Sequence, residues 1–123
     1  MVWEALPPSW VTLNIDGASK GNSGPAGGGG GVIRGHRGEW ICGFVENMGI
    51  CTSTKAELKA VLRGLLIAKE RSLTKVLVRL DSLWVTNMLR NEVPCNTEHA
   101  PLIAQCRRLT NMPDWEVSIS HCY

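Results

Sequence analysis

Three acidic residues stand where they could act together on a bound ion. Asp16 ends an alternating segment, Glu57 lies near the start of a helical pattern, and Asp81 directly follows a short apolar run. Carboxylates brought to one place repel each other unless cations neutralise them, and the hard cations Mg²⁺ and Mn²⁺ prefer such oxygen ligands. Whether the three acids meet depends on the elements that position them.

The first part of the chain predicts a three-stranded antiparallel meander. Residues 11–16 alternate between apolar and polar side chains, as a half-buried strand does. Residues 17–31 are rich in Gly, with Ser, Asn and Pro, which is typical of turns where the backbone passes close to a neighbour. Residues 32–34 and 39–45 then predict two strands joined by a short turn.

The remainder predicts helices and two further strands. Residues 54–71 have apolar side chains at a period of about 3.6, which favours a helix. Residues 75–80 are almost continuously apolar, as in a strand covered on both faces. Helices are predicted over 81–91 and 98–109, and a fifth strand over 115–120. The fold class is α/β, with a five-stranded mixed sheet flanked by helices.

This topology brings the acids toward one another. A strand, helix, strand connection is almost always right-handed and usually returns the second strand parallel to the first. Asp16 and Asp81 would then share the carboxyl edge of two parallel strands, where open α/β sheets bind ligands. Glu57 is separated by helical intervals from residues of the apolar stripe that faces the sheet, so we expect its side chain on the same face of the helix. A charge on that face needs a partner. The pattern predicts a divalent metal site.

Each acid also has a structural alternative. Thr54 and Glu57 have the spacing of a capping box, in which the glutamate satisfies backbone donors. Asp81 could cap the second helix, and Asp16 could open the Gly-rich turn. Only the convergence of all three on one edge favours the metal site.

Composition excludes several classes of protein. The 123 residues, 44% hydrophobic and 20% charged, fit one globular domain, and a net charge of +2 gives little global attraction to nucleic acid. Five cysteines without a C-x-x-C pair argue against a disulfide framework and a zinc site. No apolar run is long enough to span a membrane, and the start lacks a basic region before an apolar stretch. We expect an intracellular protein that is not secreted.

Three sequence blocks together resemble a known family. They are LNIDGASKGNSGPAG at 13–27, TSTKAEL at 52–58 and LDS at 80–82. In order and spacing they resemble the type 1 ribonuclease H family, especially the plant ribonuclease H-like domains associated with retroelement reverse transcriptases. The resemblance covers residues 10–123, leaves residues 1–9 as an N-terminal extension, and implies a ribonuclease H-like fold.

The resemblance implies a reaction and the residues that perform it. Members of the family hydrolyse the RNA strand of RNA/DNA hybrids with two divalent metal ions, Mg²⁺ or in its place Mn²⁺. Asp16, Glu57 and Asp81 match the metal-binding carboxylates. His121 matches a mobile histidine that follows the last strand and assists proton transfer or product release. No small-molecule cofactor is implied.

The resemblance also implies contacts with the hybrid. Asn22 falls where the family contacts the minor groove, and Thr52 and Ser53 fall where it holds a phosphate of the DNA strand. Three tryptophans could stack on bases, but residues on alternating or amphipathic segments are more often core: Trp40, Trp84 and Trp115.

Some family features differ or are absent from the printed sequence. The family pattern continues past Tyr123 with a fourth catalytic aspartate and a final helix, so we expect metal binding and cleavage by this chain to be impaired and apolar sheet surface to be exposed. Leu83 stands where some members have a polar residue that touches substrate. Two alternatives remain: a catalytically inactive nucleic-acid-binding domain of the same fold, and a structural domain without a nucleic-acid role.

Overall fold

A computed structural model describes residues 6–17, 28–47, 52–90 and 98–122. These residues form five strands and three helices. In chain order they are β1 (Trp10–Gly17), β2 (Gly28–Arg34), β3 (Trp40–Asn47), α1 (Ser53–Glu70), β4 (Lys75–Leu80), α2 (Leu83–Leu89), α3 (Ala100–Thr110) and β5 (Glu116–His121).

The five strands form one mixed sheet in the order β3-β2-β1-β4-β5. β1 pairs antiparallel with β2, and β2 pairs antiparallel with β3. On its other side β1 pairs parallel with β4, and β4 pairs parallel with β5. The predicted meander followed by parallel strands, with helices packed against the sheet, is therefore confirmed.

The hydrophobic core lies between one face of this sheet and the helices. Strand alternation sends Leu13 and Val78 to that face, where both are fully buried. Gly64 of α1 lies directly over Leu13: a Cβ added to the glycine would come within 2.7 Å of Leu13 Cδ2. Glycine at this position lets the helix approach β1 closely, and it fixes which part of α1 lies above which part of the strand.

A hydrogen-bonded cluster fastens the end of α1 to the start of β5. Lys69 Nζ donates to both carboxylate oxygens of Asp114, at 2.8 and 2.7 Å, and lies 4.6 Å from the centroid of the Trp115 ring. The Trp115 indole nitrogen donates to the Leu109 carbonyl at 2.6 Å. The ion pair lowers the pKa of Asp114, with the Lys69 hydrogen bond as its main cause. The cluster holds the turn that leads into β5.

Two structural alternatives for the acids are wrong. The N-cap of α1 is Thr52, whose Oγ1 accepts from the Lys55 amide at 3.2 Å, so Glu57 lies beyond the first turn and forms no capping box with Thr54. The N-cap of α2 is Ser82, whose Oγ accepts from the Val85 amide at 3.2 Å. Asp81 therefore does not cap that helix.

The glycines at 28–31 form a strand where the composition predicted a turn. All four pair with β3 on one side, and Gly29, Gly30 and Gly31 also pair with β1 on the other. A Cβ at Gly31 would lie 2.7 Å from the Asn14 carbonyl oxygen, and one at Gly30 would overlap the Phe44 carbonyl. The close approach to neighbouring strands was expected of this segment, but it occurs inside the ladder.

The three tryptophans divide between core and surface. Trp115 is 9% exposed, as predicted, whereas Trp40 and Trp84 are 62% and 48% exposed, so the core prediction for these two is wrong. The β2–β3 register shifts at Arg34 and Trp40, and such a bulge turns a side chain to the other face of the sheet. Trp84 lies in the first turn of α2, whose buried face is formed by residues farther along the helix.

Two further findings concern the described residues as a group. No helix in those parts of the chain is long and apolar enough to cross a membrane. Cys42, Cys106 and Cys122 are free thiols in the described parts of the chain.

Candidate active site

Asp16 and Asp81 lie at the same edge of the sheet. The parallel ladder between β1 and β4 pairs Trp10 with Lys75 and continues in register to Asn14 and Arg79. Asp16 and Asp81 each lie two residues beyond that last pair, so they occupy equivalent positions at the carboxyl edge. Both side chains are exposed. The predicted convergence of these two acids follows from the register alone.

Glu57 lies at the same level on the helix above. The end of α1 leads through a short connection to the start of β4, so the helix runs antiparallel to β1, with Gly64 above Leu13. Glu57 precedes Gly64 by two helical turns, or about 10 Å along the helix axis. Glu57 therefore lies on the same sheet-facing side of α1 as Gly64. Asp16 follows Leu13 by three strand residues, also about 10 Å.

Glu57 is set apart from the other two acids by its burial. Its side chain is only 6% exposed, and Oε2 is shielded from solvent. Because an ionised carboxylate is costly to bury without compensation, this position favours contact with positive charge or hydrogen-bond donors. Of the three acids, Glu57 is thus the buried one, and Asp16 and Asp81 are the exposed ones.

His121 lies beside Asp81. Leu80 and His121 are paired across β4 and β5, and the Cys122 amide donates to the Leu80 carbonyl at 2.6 Å. His121 Nε2 is 3.2 Å from the Asp81 carbonyl oxygen. A carbonyl can only accept, so a hydrogen bond here requires the tautomer with its hydrogen on Nε2. The histidine predicted from the fifth strand is at the same edge as the acids.

The described side chains do not form a ready-made metal cage. Among them, no group of three or more His, Cys, Asp and Glu side chains is arranged to hold a metal ion. Mg²⁺ does not require such a cage, because it keeps several waters and usually binds through one or two carboxylates together with phosphates of the substrate. In donor type and in placement along one edge, the three acids fit this kind of open site.

The predicted nucleic-acid contacts lie around the same edge or outside the described residues. Thr52 and Ser53 are exposed at the start of α1, where backbone amides and hydroxyls can bind a phosphate. Thr52 Oγ1 already accepts from Lys55, which leaves its hydroxyl hydrogen to donate. Asn22 lies outside the described residues.

An exposed apolar pair lies next to the acids. Leu83 and Trp84 follow Asp81 closely and are 53% and 48% exposed. We call this pair the apolar ridge. The helical phase of α2 is the signal that could have revealed it, because the buried residues begin at Val85 and the ridge precedes them.

The face of the sheet opposite the described helices has a shallow trough of about 550 Å³. We call this side the open face. Trp40 and Val45 form the apolar part of the trough, and Asp16 lies at its polar end. Val45 is 93% exposed. The trough thus connects the acidic edge with an apolar surface on β3.

Known proteins share this fold and this sequence pattern. Ribonuclease H1 from the halophilic archaeon Halobacterium salinarum superposes with a TM-score of 0.81 at 27% identity, over 92% of this chain and 85% of that one. LC11-RNase H1, isolated from compost and crystallised with an RNA/DNA hybrid, gives a TM-score of 0.79 at 22% identity, over 91% and 84% of the two chains. At that identity the second likeness shows the fold alone. The fold is that of ribonuclease H.

Sequence comparison gives the family. The reverse transcriptase-like family model matches residues 14–123, so the chain belongs to that family. An Arabidopsis thaliana protein named, provisionally, a ribonuclease H protein is 36% identical over 121 residues, 98% of this chain. The chain spans 19% of the length of that relative. The predicted resemblance to ribonuclease H is confirmed.

Proposed function

We propose that this chain is a metal-dependent endonuclease that hydrolyses the RNA strand of RNA/DNA hybrids by a two-metal mechanism. The observation behind the proposal is the shared position of Asp16 and Asp81 at one sheet edge, with Glu57 level with them on α1. The ribonuclease H proteins similar to this chain support the same reaction class. The substrate and the mechanism are our inference.

Each residue has a distinct task in the proposed reaction. Asp16 and Asp81 would hold divalent cations, Mg²⁺ or Mn²⁺, from the solvent side, and Glu57 would hold them from the buried side. When bound, two such ions supply an activated water and stabilise the charge on the leaving 3′ oxygen. His121, anchored through Nε2, would exchange a proton at Nδ1 with the reacting groups.

The hybrid would lie along this edge. Thr52 and Ser53 would donate to a phosphate of the DNA strand, and Asn22 would contact the minor groove. Asp16, Glu57 and Asp81 would leave some coordination positions of the ions to other ligands. Substrate phosphates would complete the coordination of the ions.

The proposal is tested with a labelled RNA/DNA hybrid incubated with the chain and Mg²⁺. We expect cleavage of the RNA strand only, and a loss of about 100-fold or more in rate for Asp16→Asn, because the variant removes a negative ligand without changing the shape of the side chain. Asp114→Asn is the matched control, since Asp114 is an exposed carboxylate paired with Lys69 away from the sheet edge. It should cleave like the wild-type chain.

The same assay separates cleavage from the alternative, a domain of this fold that binds hybrids without cleaving them. Hybrid binding with no cleavage in Mg²⁺ or Mn²⁺ would select this inactive binding domain. Cleavage that survives Asp16→Asn unchanged would show that the nuclease activity does not come from the proposed acids.

A further inference from the structure

We infer that a basic stripe on the outer side of α1 binds a single-stranded extension of the DNA strand of the hybrid. The basic stripe consists of Lys55, Lys59 and Arg63. The inference rests on the proposed function, since the extension would leave the duplex where Thr52 and Ser53 are proposed to hold the DNA strand. It goes beyond that function, because it assigns a ligand outside the duplex to residues that the proposed chemistry does not use.

The basic stripe lies on the side of α1 that faces away from the sheet. A spacing of four residues keeps its three side chains on one side of the helix, and each step advances about 6 Å along the axis. Lys59 follows Glu57 by two residues, so it points about 200° around the helix from that sheet-facing acid. Lys55 and Arg63 are exposed, and Lys59 is partly exposed. All three are therefore accessible to a ligand in solvent.

Charge on α1 is separated between its two sides. The helix contains two acidic residues: Glu57, buried on the sheet side, and Glu70, which lies beyond the stripe in the last turn. Like charges four residues apart repel each other and weaken a helix, so a bound anion would relieve this repulsion. The net charge of the whole chain is only +2, so attraction of a polyanion depends on a local concentration of this kind.

The basic stripe starts near the acids and leads away from them. Thr52 caps α1 at the carboxyl edge, and Lys55 follows in the first turn. Arg63 lies about 12 Å farther along the helix axis than Lys55. Because α1 runs antiparallel to β1, the stripe leaves the carboxyl edge toward the opposite end of the sheet. A ligand on the stripe would have to turn away from the direction of a duplex that crosses this edge.

Only a flexible strand can make this turn. Duplex DNA has a persistence length of about 50 nm, so a duplex on the acids stays nearly straight across the width of the domain. Single strands are bound by basic surfaces that follow their backbone, and lysine and arginine contact phosphates without reading the bases. Since Thr52 and Ser53 are proposed to hold the DNA strand, its continuation is the strand that would reach the basic stripe.

The test compares a blunt labelled hybrid with the same hybrid carrying single-stranded DNA at one end or at the other, in Ca²⁺ to prevent cleavage. We expect a DNA extension at one of the two ends to tighten binding on the order of tenfold. The slope of log Kd against log salt concentration should steepen by about 2, because each of three phosphate contacts on a single strand contributes about 0.7. An extension of the RNA strand should give no such gain.

The double variant Lys59→Glu with Arg63→Glu should lower the ratio of the blunt Kd to the extended Kd to about 1. Lys59→Arg with Arg63→Lys keeps both charges and should retain the gain. The matched control is Arg37→Glu with Arg108→Glu, which makes the same change of charge at two exposed arginines on the β2–β3 turn and on α3. The control should keep the ratio of the wild type.

Equal affinities of the wild-type chain for blunt and extended hybrids would overturn the inference and leave the proposed function intact. An equal loss of the gain in the control and in the stripe variant would also overturn it, because the effect would then follow from net charge. A wild-type chain that bound neither hybrid would remove the proposed function, and this inference with it.

Discussion

At the scale of single residues, His121 connects the last strand to the candidate site. Its Nε2 meets the Asp81 carbonyl at 3.2 Å, so the ring is held beside an acid by a backbone group. This position was predictable, because a histidine that ends an alternating segment in a parallel strand must emerge at the carboxyl edge. The hydrogen bond was not predictable, because it depends on the side-chain torsions of His121.

Folding changes the ionisation of Cys106 more clearly than that of the other described residues. Burial raises the pKa of its thiol from its ordinary value to about 12. The unfolded chain therefore loses this proton at lower pH than the folded chain does. Stability is complete below the unfolded pKa and falls as pH rises through the interval between the two values, by at most about 1.4 kcal/mol per pH unit.

The variant Cys106→Ala removes this dependence. We expect the free energy of unfolding in urea to fall less steeply between pH 9 and pH 12 for the variant than for the wild type. The variant will be less stable at pH 7, since it loses a buried sulfur atom that contacts the Leu58 carbonyl at 3.8 Å. Parallel pH profiles for the two proteins would contradict the assignment.

At the scale of elements, the glycine in α1 sets how the helix sits on the sheet. We expect Gly64→Ala to destabilise the protein by about 1–2 kcal/mol, because overpacking against Leu13 outweighs the gain of about 1 kcal/mol in helix propensity. In a Leu13→Ala background the obstacle is gone, so the same change should be stabilising. Urea unfolding of the four proteins gives both effects.

The decisive result is whether Gly64→Ala raises or lowers the free energy of unfolding in each background. If Gly64→Ala destabilised both backgrounds equally, the glycine would not be required by contact with Leu13. Activity supplies a second readout, since a displaced α1 moves Glu57 relative to Asp16. We expect hybrid cleavage to fall in Gly64→Ala by more than the unfolded fraction explains.

Sequence patterns predict most helices and strands, and they fail where the same residues suit more than one local structure. The strand predicted over residues 75–80 has the same bounds as β4, because an almost continuous apolar run between polar ends fits only a strand. The start of α1 was misplaced because Thr52, Ser53 and Thr54 are all suitable caps. Glycine composition predicts a turn at the residues of β2 because glycine propensity is local, while the ladder that holds these residues is made by distant strands.

At the scale of the whole molecule, the open face is the feature that affects association. Trp40 and Val45 both line its trough, and Val45 is 93% exposed. Apolar surface of this kind promotes self-association. We expect the 123-residue chain to associate at high concentration, and Val45→Lys to shift sedimentation toward the monomer with no change in unfolding free energy.

Leu66→Lys is the matched control, because Leu66 is also an exposed apolar residue, at 42%, but lies on α1. It should leave association unchanged. A wild-type chain that sediments as a monomer at all concentrations would contradict the prediction. So would equal effects of the two lysine variants.

The pairing of β1 with β4 also determines when the site can appear during synthesis. Trp10 pairs with Lys75, whereas β1 and β2 are near neighbours along the chain. Because the chain is synthesised from its N-terminus, the meander leaves the ribosome well before β4. Until Asp81 has been translated, the edge of β1 that will pair with β4 has no partner strand. Long-range parallel pairing closes slowly. The nascent chain is thus most prone to wrong strand pairing in the interval before its acids can meet.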